Sequence, residues 1–222
     1  MEFEVVGSAE DAARRGAELI AAAGREAVAE RGIFELAMSG GRSPWAMLAI
    51  LGDLEGMPWA ETELFQVDER IAAPGSEDRN LTHLVLGLSL DHQSALRPMP
   101  VTQRDLDAAA REYESSLPDA LDLVHLGLGP DGHTASLVPG DGVLEVADRR
   151  VALTEGTYQD HRRMTLTYPT LAAAGRILWL VTGEEKRDAL AKLLAGDDSI
   201  PAGRVANADM VVVADEAAAA TT

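Results

Sequence analysis

Five short apolar runs, IFELAM (33–38), ELFQV (63–67), LDLVHL (121–126), RILWLV (176–181) and DMVVVAD (209–215), are each bounded by polar segments. Their length and their Val, Ile, Leu and aromatic content suit buried strands. Helical patterns lie between them. Ser8 opens one that reaches about Arg31, with Asp11 three residues after the cap and Ala13, Ala17, Ile20 and Val28 along one stripe. LTHLVLGLSL (81–90), Asp105 to Ser116, and EEKRDALAKLLAG (184–196) read as further helices, the last closed by Gly196. EFEVV near the start and RVALT and RMTLT further on are strand-like. Strands alternating with helices predict an α/β fold, a Rossmann-like, doubly wound, mostly parallel sheet with helices on both faces. In such sheets ligands sit beyond the carboxyl ends of the strands. Four polar segments follow strand-like runs: SGGRSP (39–44), Asp68-Glu69-Arg70, GPDGH (129–133) and TGEEK (182–186). They point to one shared cleft.

The 222 residues fit a single domain, 1–222, with a substantial core. Acidic residues outnumber basic ones 37 to 19, a formal net charge of −18. That field repels nucleic acid and anionic membranes, so an anionic ligand has to be met by a local cluster of positive groups. With no cysteine there is no disulfide, thiol nucleophile or thiolate zinc site. The histidines show no H-x-x-x-H spacing, and no metal site is expected. There is no basic and apolar leader and no apolar run of about 20 residues, so the expected location is the cytoplasm.

Each polar segment offers a chemistry and a plainer alternative. In SGGRSP the glycines allow close backbone approach, Arg42 adds charge, and Ser43 with Pro44 suits a helix start whose free N–H groups could hold a phosphate. A tight turn with a solvated arginine would use the same residues. Neither a Walker loop nor a G-x-S-x-G elbow is present. Asp68 and Arg70 are expected to face the cleft, as an orienting carboxylate and an anion ligand, or to form a surface ion pair. Gly127-x-Gly129-x-x-Gly132 has the spacing of a dinucleotide fingerprint, but Pro130 stiffens it and no acidic residue follows at a second strand end. His133, two residues after Asp131, makes a general base the better reading, although a lone loop histidine is often merely solvated. Lys186 and Arg163 are further phosphate candidates or solvated cations.

In this order, SGGRSP, VDER with a downstream Asn80, DLVHLGLGPDGHTASLVPG, RMTLT and TGEEK resemble the 6-phosphogluconolactonase family over roughly residues 33–205. The most specific segment is D-G-H-T-A-S-L-x-P-G. The resemblance implies the fold shared with glucosamine-6-phosphate deaminases and hydrolysis of 6-phosphoglucono-δ-lactone in the oxidative pentose phosphate pathway, with no cofactor. It implies His133 as the water-activating base, with Asp131 or Asp68 holding the imidazole. Arg70 and loop N–H groups would meet the oxyanion. Gly40, Gly41, Arg42, Arg163 and Lys186 would grip the 6-phosphate, with Asn80 also at the substrate. The partner is then a small phosphosugar lactone, taken by a monomer or small homo-oligomer. The related deaminases resemble D-G-H-I-A-F-N-E-P here, with a glutamate five residues after the histidine. This chain has Val138, which shuttles no proton; many lactonases have phenylalanine, an apolar exchange. A non-catalytic sugar-phosphate-binding module on the same fold is the alternative of another class.

Overall fold

The computed structural model describes residues 1–220. Strand β1 (Glu2–Val6) runs into helix α1 (Ala9–Arg31), where Ser8 Oγ accepts from the Asp11 N–H at 3.1 Å and donates to the Asp11 carboxylate at 2.6 Å. Next come β2 (Phe34–Met38), α2 (Arg42–Asp53), β3 (Thr62–Gln66), β4 (Asp68–Arg70), α3 (Asn80–Gly87) and β5 (Leu96–Arg97). The chain continues through α4 (Leu106–Ser116), β6 (Leu123–Gly127), β7 (Val151–Leu153), β8 (Arg163–Leu166) and α5 (Tyr168–Ala173). It ends with β9 (Arg176–Val181), α6 (Arg187–Ala195), β10 (Met210–Asp215) and α7 (Glu216–Ala219).

Seven strands form one parallel sheet in the order β1-β10-β9-β6-β2-β3-β5. From β2 the chain moves outward to β3 and β5, and from β6 it moves outward the other way. The two central strands are therefore the switch point where a crevice opens at the carboxyl edge. Alternation within each strand sends neighbouring side chains to opposite cores. Phe34, Leu36 and Met38 meet α1 and α2 through Ile20, Met47 and Leu48. Val124, Leu126, Ile177 and Trp179 meet α4 and α6 through Tyr113, Leu190 and Leu193. The expected doubly wound sheet is present, with helices on both faces. Among the described residues no helix is long and apolar enough to cross a membrane.

Four local expectations change. Asp68-Glu69-Arg70 is not a loop but a strand, paired antiparallel with β8, which pairs antiparallel with β7 in a separate three-stranded sheet. Ser43 does not cap α2; Gly41 holds the cap position without a side-chain bond, and Ser43 Oγ instead lies 2.6 Å from Thr182 Oγ1. The α3 helix stops at Gly87, short of the Leu88-Ser89-Leu90 that follows. Residues 184–186 form a tight turn of 3₁₀ helix, and the α-helix proper starts only at Arg187.

Candidate active site

A cavity of about 730 Å³ opens at the carboxyl edge of the large sheet, lined by residues of all four polar segments. Behind β2, Ser39, Gly40, Gly41 and Arg42 carry the chain into α2, whose N-terminal N–H groups and dipole favour an anion. Behind β9, Thr182 and Gly183 lead to Lys186. The Ser43–Thr182 hydroxyl contact ties these two turns together, and both Asp215 carboxylate oxygens accept from the Gly183 N–H. Burial lowers the Lys186 ammonium from its ordinary value, Glu185 and Asp131 oppose this, and Arg42 adds to the lowering. Two cations within electrostatic reach of one another, beside a helix N-terminus, make a place where an anion could be held.

Behind β6 the turn Gly129–Gly132 is closed by the Gly132 N–H donating to Gly129 O, and the Gly129 N–H donates to His133 O at 2.8 Å. His133 Nδ1–H donates to Asp131 Oδ1 at 2.6 Å, which leaves Nε2 for the cavity that the ring lines. The hydrogen bond from His133 holds the Asp131 carboxyl well below the usual carboxylate range, against the opposing effect of burial. A Cβ on Gly129 would overlap the imidazole ring and the Asp131 carboxylate. The spacing that looked like a dinucleotide fingerprint therefore makes room for the histidine.

The opposite wall belongs to the small sheet. Asp68 on β4 and Arg163 on β8 are buried, at 4% and 2% exposure, with Arg163 Nη1 3.8 Å from Asp68 Oδ2. Asp68 accepts from Ser136 Oγ at 2.6 Å and from Asn80 Nδ2 at 3.3 Å. Of the two carboxylates considered for orienting the imidazole, Asp131 does so, while Asp68 is engaged with Ser136, Asn80 and Arg163. Arg163 also donates to Tyr158 O and to Gln159 Oε1. Burial lowers its pKa, and the Asp68 carboxylate counters that. Arg70 lines the cavity while donating to Asp78 O at 2.7 Å.

Asn80 lines the cavity but is packed against Gly40, where any Cβ would overlap its amide. Its Nδ2 also donates to Asp68 O at 2.9 Å, so it braces the two walls against each other. Glu69, fully buried, accepts from the backbone N–H groups of Arg70, Asn80 and Leu81, capping α3 from a neighbouring strand. Ser136, Glu69, Thr182 and Tyr158 escaped the sequence reading. Ser136 sits within the specific D-G-H-T-A-S motif, whereas Tyr158 lies in a segment, GTYQDH, without periodicity or motif. Among the described residues no group of three or more His, Asp or Glu side chains is placed to hold a metal ion.

Fold and site together define a doubly wound α/β protein whose cleft pairs an anion receptacle with a carboxylate-held histidine. Residues 7–214 match the model of the family described as glucosamine-6-phosphate isomerases/6-phosphogluconolactonase. A rabbit (Oryctolagus cuniculus) GDH/6PGL endoplasmic bifunctional protein is 39% identical over 184 residues; the match covers 76% of this chain and only 23% of that longer protein. A 6-phosphogluconolactonase of Mycobacterium bovis is 34% identical over 231 residues, covering 91% of this chain and 93% of the relative. The solved 6-phosphogluconolactonase of Trypanosoma brucei superposes with a TM-score of 0.86 over 98% of this chain and 97% of its own, at 23% identity, which speaks for the fold. The chain belongs to the glucosamine-6-phosphate isomerase/6-phosphogluconolactonase family and stands with its 6-phosphogluconolactonases.

Proposed function

We propose that this chain, acting as one α/β unit, hydrolyses 6-phospho-D-glucono-1,5-lactone to 6-phospho-D-gluconate in the oxidative pentose phosphate pathway. The observation that carries the reading is the 2.6 Å Asp131–His133 contact, which commits Nδ1 and leaves Nε2 as a base beside an anion receptacle. The M. bovis relative of near-equal length carries the lactonase name.

A δ-lactone needs an activated water and a place for developing negative charge. His133 Nε2 takes a proton as the water oxygen bonds to the carbonyl carbon. The resulting oxyanion is met by Arg70 and loop N–H groups. Collapse breaks the bond to the ring oxygen, which receives the proton from His133, and the product is the open-chain acid. Asp131 stabilises the imidazolium meanwhile, the task of the carboxylate in a hydrolase triad. Gly40, Gly41, Arg42 and Lys186 hold the 6-phosphate, and Arg163 stands on the opposite wall beside Asp68.

The isomerase chemistry of the wider family is disfavoured by Val138, which is buried and apolar and offers no proton. The walls all come from one chain, so a monomer suffices, and a small homo-oligomer would leave the site intact. The cysteine-free chain suits a reducing cytoplasm, where we place it. The deciding experiment is lactone hydrolysis above the spontaneous rate, run beside glucosamine 6-phosphate. Rapid lactone loss without ammonia release is expected. Ligand-induced thermal stabilisation without turnover would replace the enzyme reading by a binding module.

A further inference from the structure

The structure assigns Tyr158 a positioning role, in which one side chain fixes both the carboxylate behind the base and the buried arginine of the opposite wall. It rests on the lactonase reading. Tyr158 lies in the segment joining β7 and β8, at the foot of a two-residue turn. Tyr158 N–H donates to His161 O at 2.9 Å, and His161 N–H returns to Tyr158 O at 3.4 Å. The turn residues Gln159 and Asp160 are both left-handed, with φ of 50° and 66°, and neither is glycine. Each such residue costs about 1 kcal/mol or more, so the surroundings have to hold the turn. Arg163 does so, donating through Nε and Nη2 to Tyr158 O at 3.3 and 3.0 Å and through Nη2 to Gln159 Oε1 at 3.1 Å.

The strained turn sets the phenol at the catalytic pair. Tyr158 Oη–H donates to Asp131 Oδ2 at 3.2 Å and lies 3.3 Å from His133 Nδ1. Its ring centre is 5.0 Å from that of the imidazole, and the Arg163 guanidinium carbon lies 5.2 Å from the same ring centre. The Asp131 side chain is 37% exposed and sits on a loop. With His133 alone it would be held by one oxygen; the phenol takes the other and so fixes the carboxylate plane. Burial, followed by Asp131, raises the phenol pKa, so it stays a donor at working pH. Gln159 and Arg163 line the cavity at this corner, whereas Tyr158 does not, so it acts through its neighbours. The charged and titratable groups around the Asp131–His133–Tyr158 cluster include Lys186, which Asp131 feels, and Arg163, which Tyr158 feels.

The test is Tyr158→Phe, which keeps the ring and deletes the hydroxyl, with Tyr158→Leu to remove both. In the lactonase assay Tyr158→Phe should lower kcat about three- to tenfold, the range of one lost hydrogen bond. KM should hold, because Arg163 keeps its ring. With the phenol gone the Asp131 charge falls wholly on the imidazole, so the acid limb of kcat/KM should move to higher pH. Tyr158→Leu should also raise KM. A wild-type kcat and an unmoved acid limb in Tyr158→Phe would overturn the assignment, as would a loss of kcat that leaves the limb unmoved and follows lowered thermal stability. The His133 ring resonances read the same contact without substrate. If the wild type proves inactive on the lactone, the function fails, and the positioning role then stands or falls on whether those resonances shift in Tyr158→Phe.

Discussion

The two sheets contribute to the cleft in different ways. From the seven-stranded parallel sheet come turns, 39–42, 127–133 and 182–186, that leave its carboxyl edge with backbone N–H groups, a partly exposed histidine and two cations at the cavity. From the three-stranded sheet come Asp68 and Arg163, which stand within β4 and β8 and are buried. Buried ionisable groups are also treated differently. His125 on β6 is fully buried, with neither ring nitrogen bonded among the described residues, and burial lowers its pKa to about 3, so it stays neutral. Asp68 and Arg163 face each other and are tied by hydrogen bonds to Ser136, Asn80, Tyr158 and Gln159. The large sheet can change a loop residue without losing its fold, whereas the small one cannot lose a charge without leaving its partner stranded.

The largest effect that would sharpen this contrast is on rate. His133→Ala should cut kcat by about 10²–10⁴-fold, the usual worth of a positioned base, with an unchanged urea midpoint. Near-wild-type turnover would remove the base from the loops. Next, Arg163→Leu should cost about 3 kcal/mol of unfolding free energy in urea melts, because a carboxylate is left without its buried partner. A midpoint equal to wild type would erase the distinction between the sheets. Replacing Lys186 by Ala should raise KM for the lactone about tenfold, as expected for one charge-assisted contact to phosphate, and alter kcat little. An unchanged KM takes the lysine out of the receptacle.

A separate effect concerns pH. His125 unfolded titrates near its ordinary value of about 6.5 and folded near 3, so below the upper value the unfolded chain binds the extra proton. Wild-type stability from this group is therefore complete above about pH 6.5 and is lost as pH falls toward 3, by about 1 kcal/mol per pH unit. His125→Leu should flatten that part of the stability curve. Equal acid sensitivity in both proteins would show that the ring finds a partner.

The large sheet was legible because strands buried on both faces read as continuous apolar runs, and RILWLV is bounded as observed, at Arg176–Val181. That the polar segments meet in one cleft was legible as well, since turns after parallel strands leave by the same edge of the sheet. The small sheet was legible only in part: RVALT and RMTLT read as strands, and Asp-Glu-Arg did not. Its strands are three or four residues long, and Asp-Glu-Arg carries three charges that in isolation argue for a loop. Only pairing with Arg163-Met164-Thr165 makes it a strand, and that pairing spans more than ninety residues of sequence. Glu69 as the cap of α3 and Ser43 as a partner of Thr182 were out of reach for the same reason. Capping rules look three residues ahead, while here the partners come from other elements.

The order in which the chain is made bears on when such a site can work. Among the described residues β1 pairs only with β10, and Asp215 at the end of β10 receives the N–H of Gly183 in the turn after β9. A nascent chain that has released β9 and α6 still lacks that anchor, and its first strand waits unpaired for some two hundred residues of synthesis. Closing so long a loop is slow and entropically costly. Competence for substrate should thus arrive as a late step in maturation, and a chain stalled before β10 should be inert and prone to capture by folding helpers.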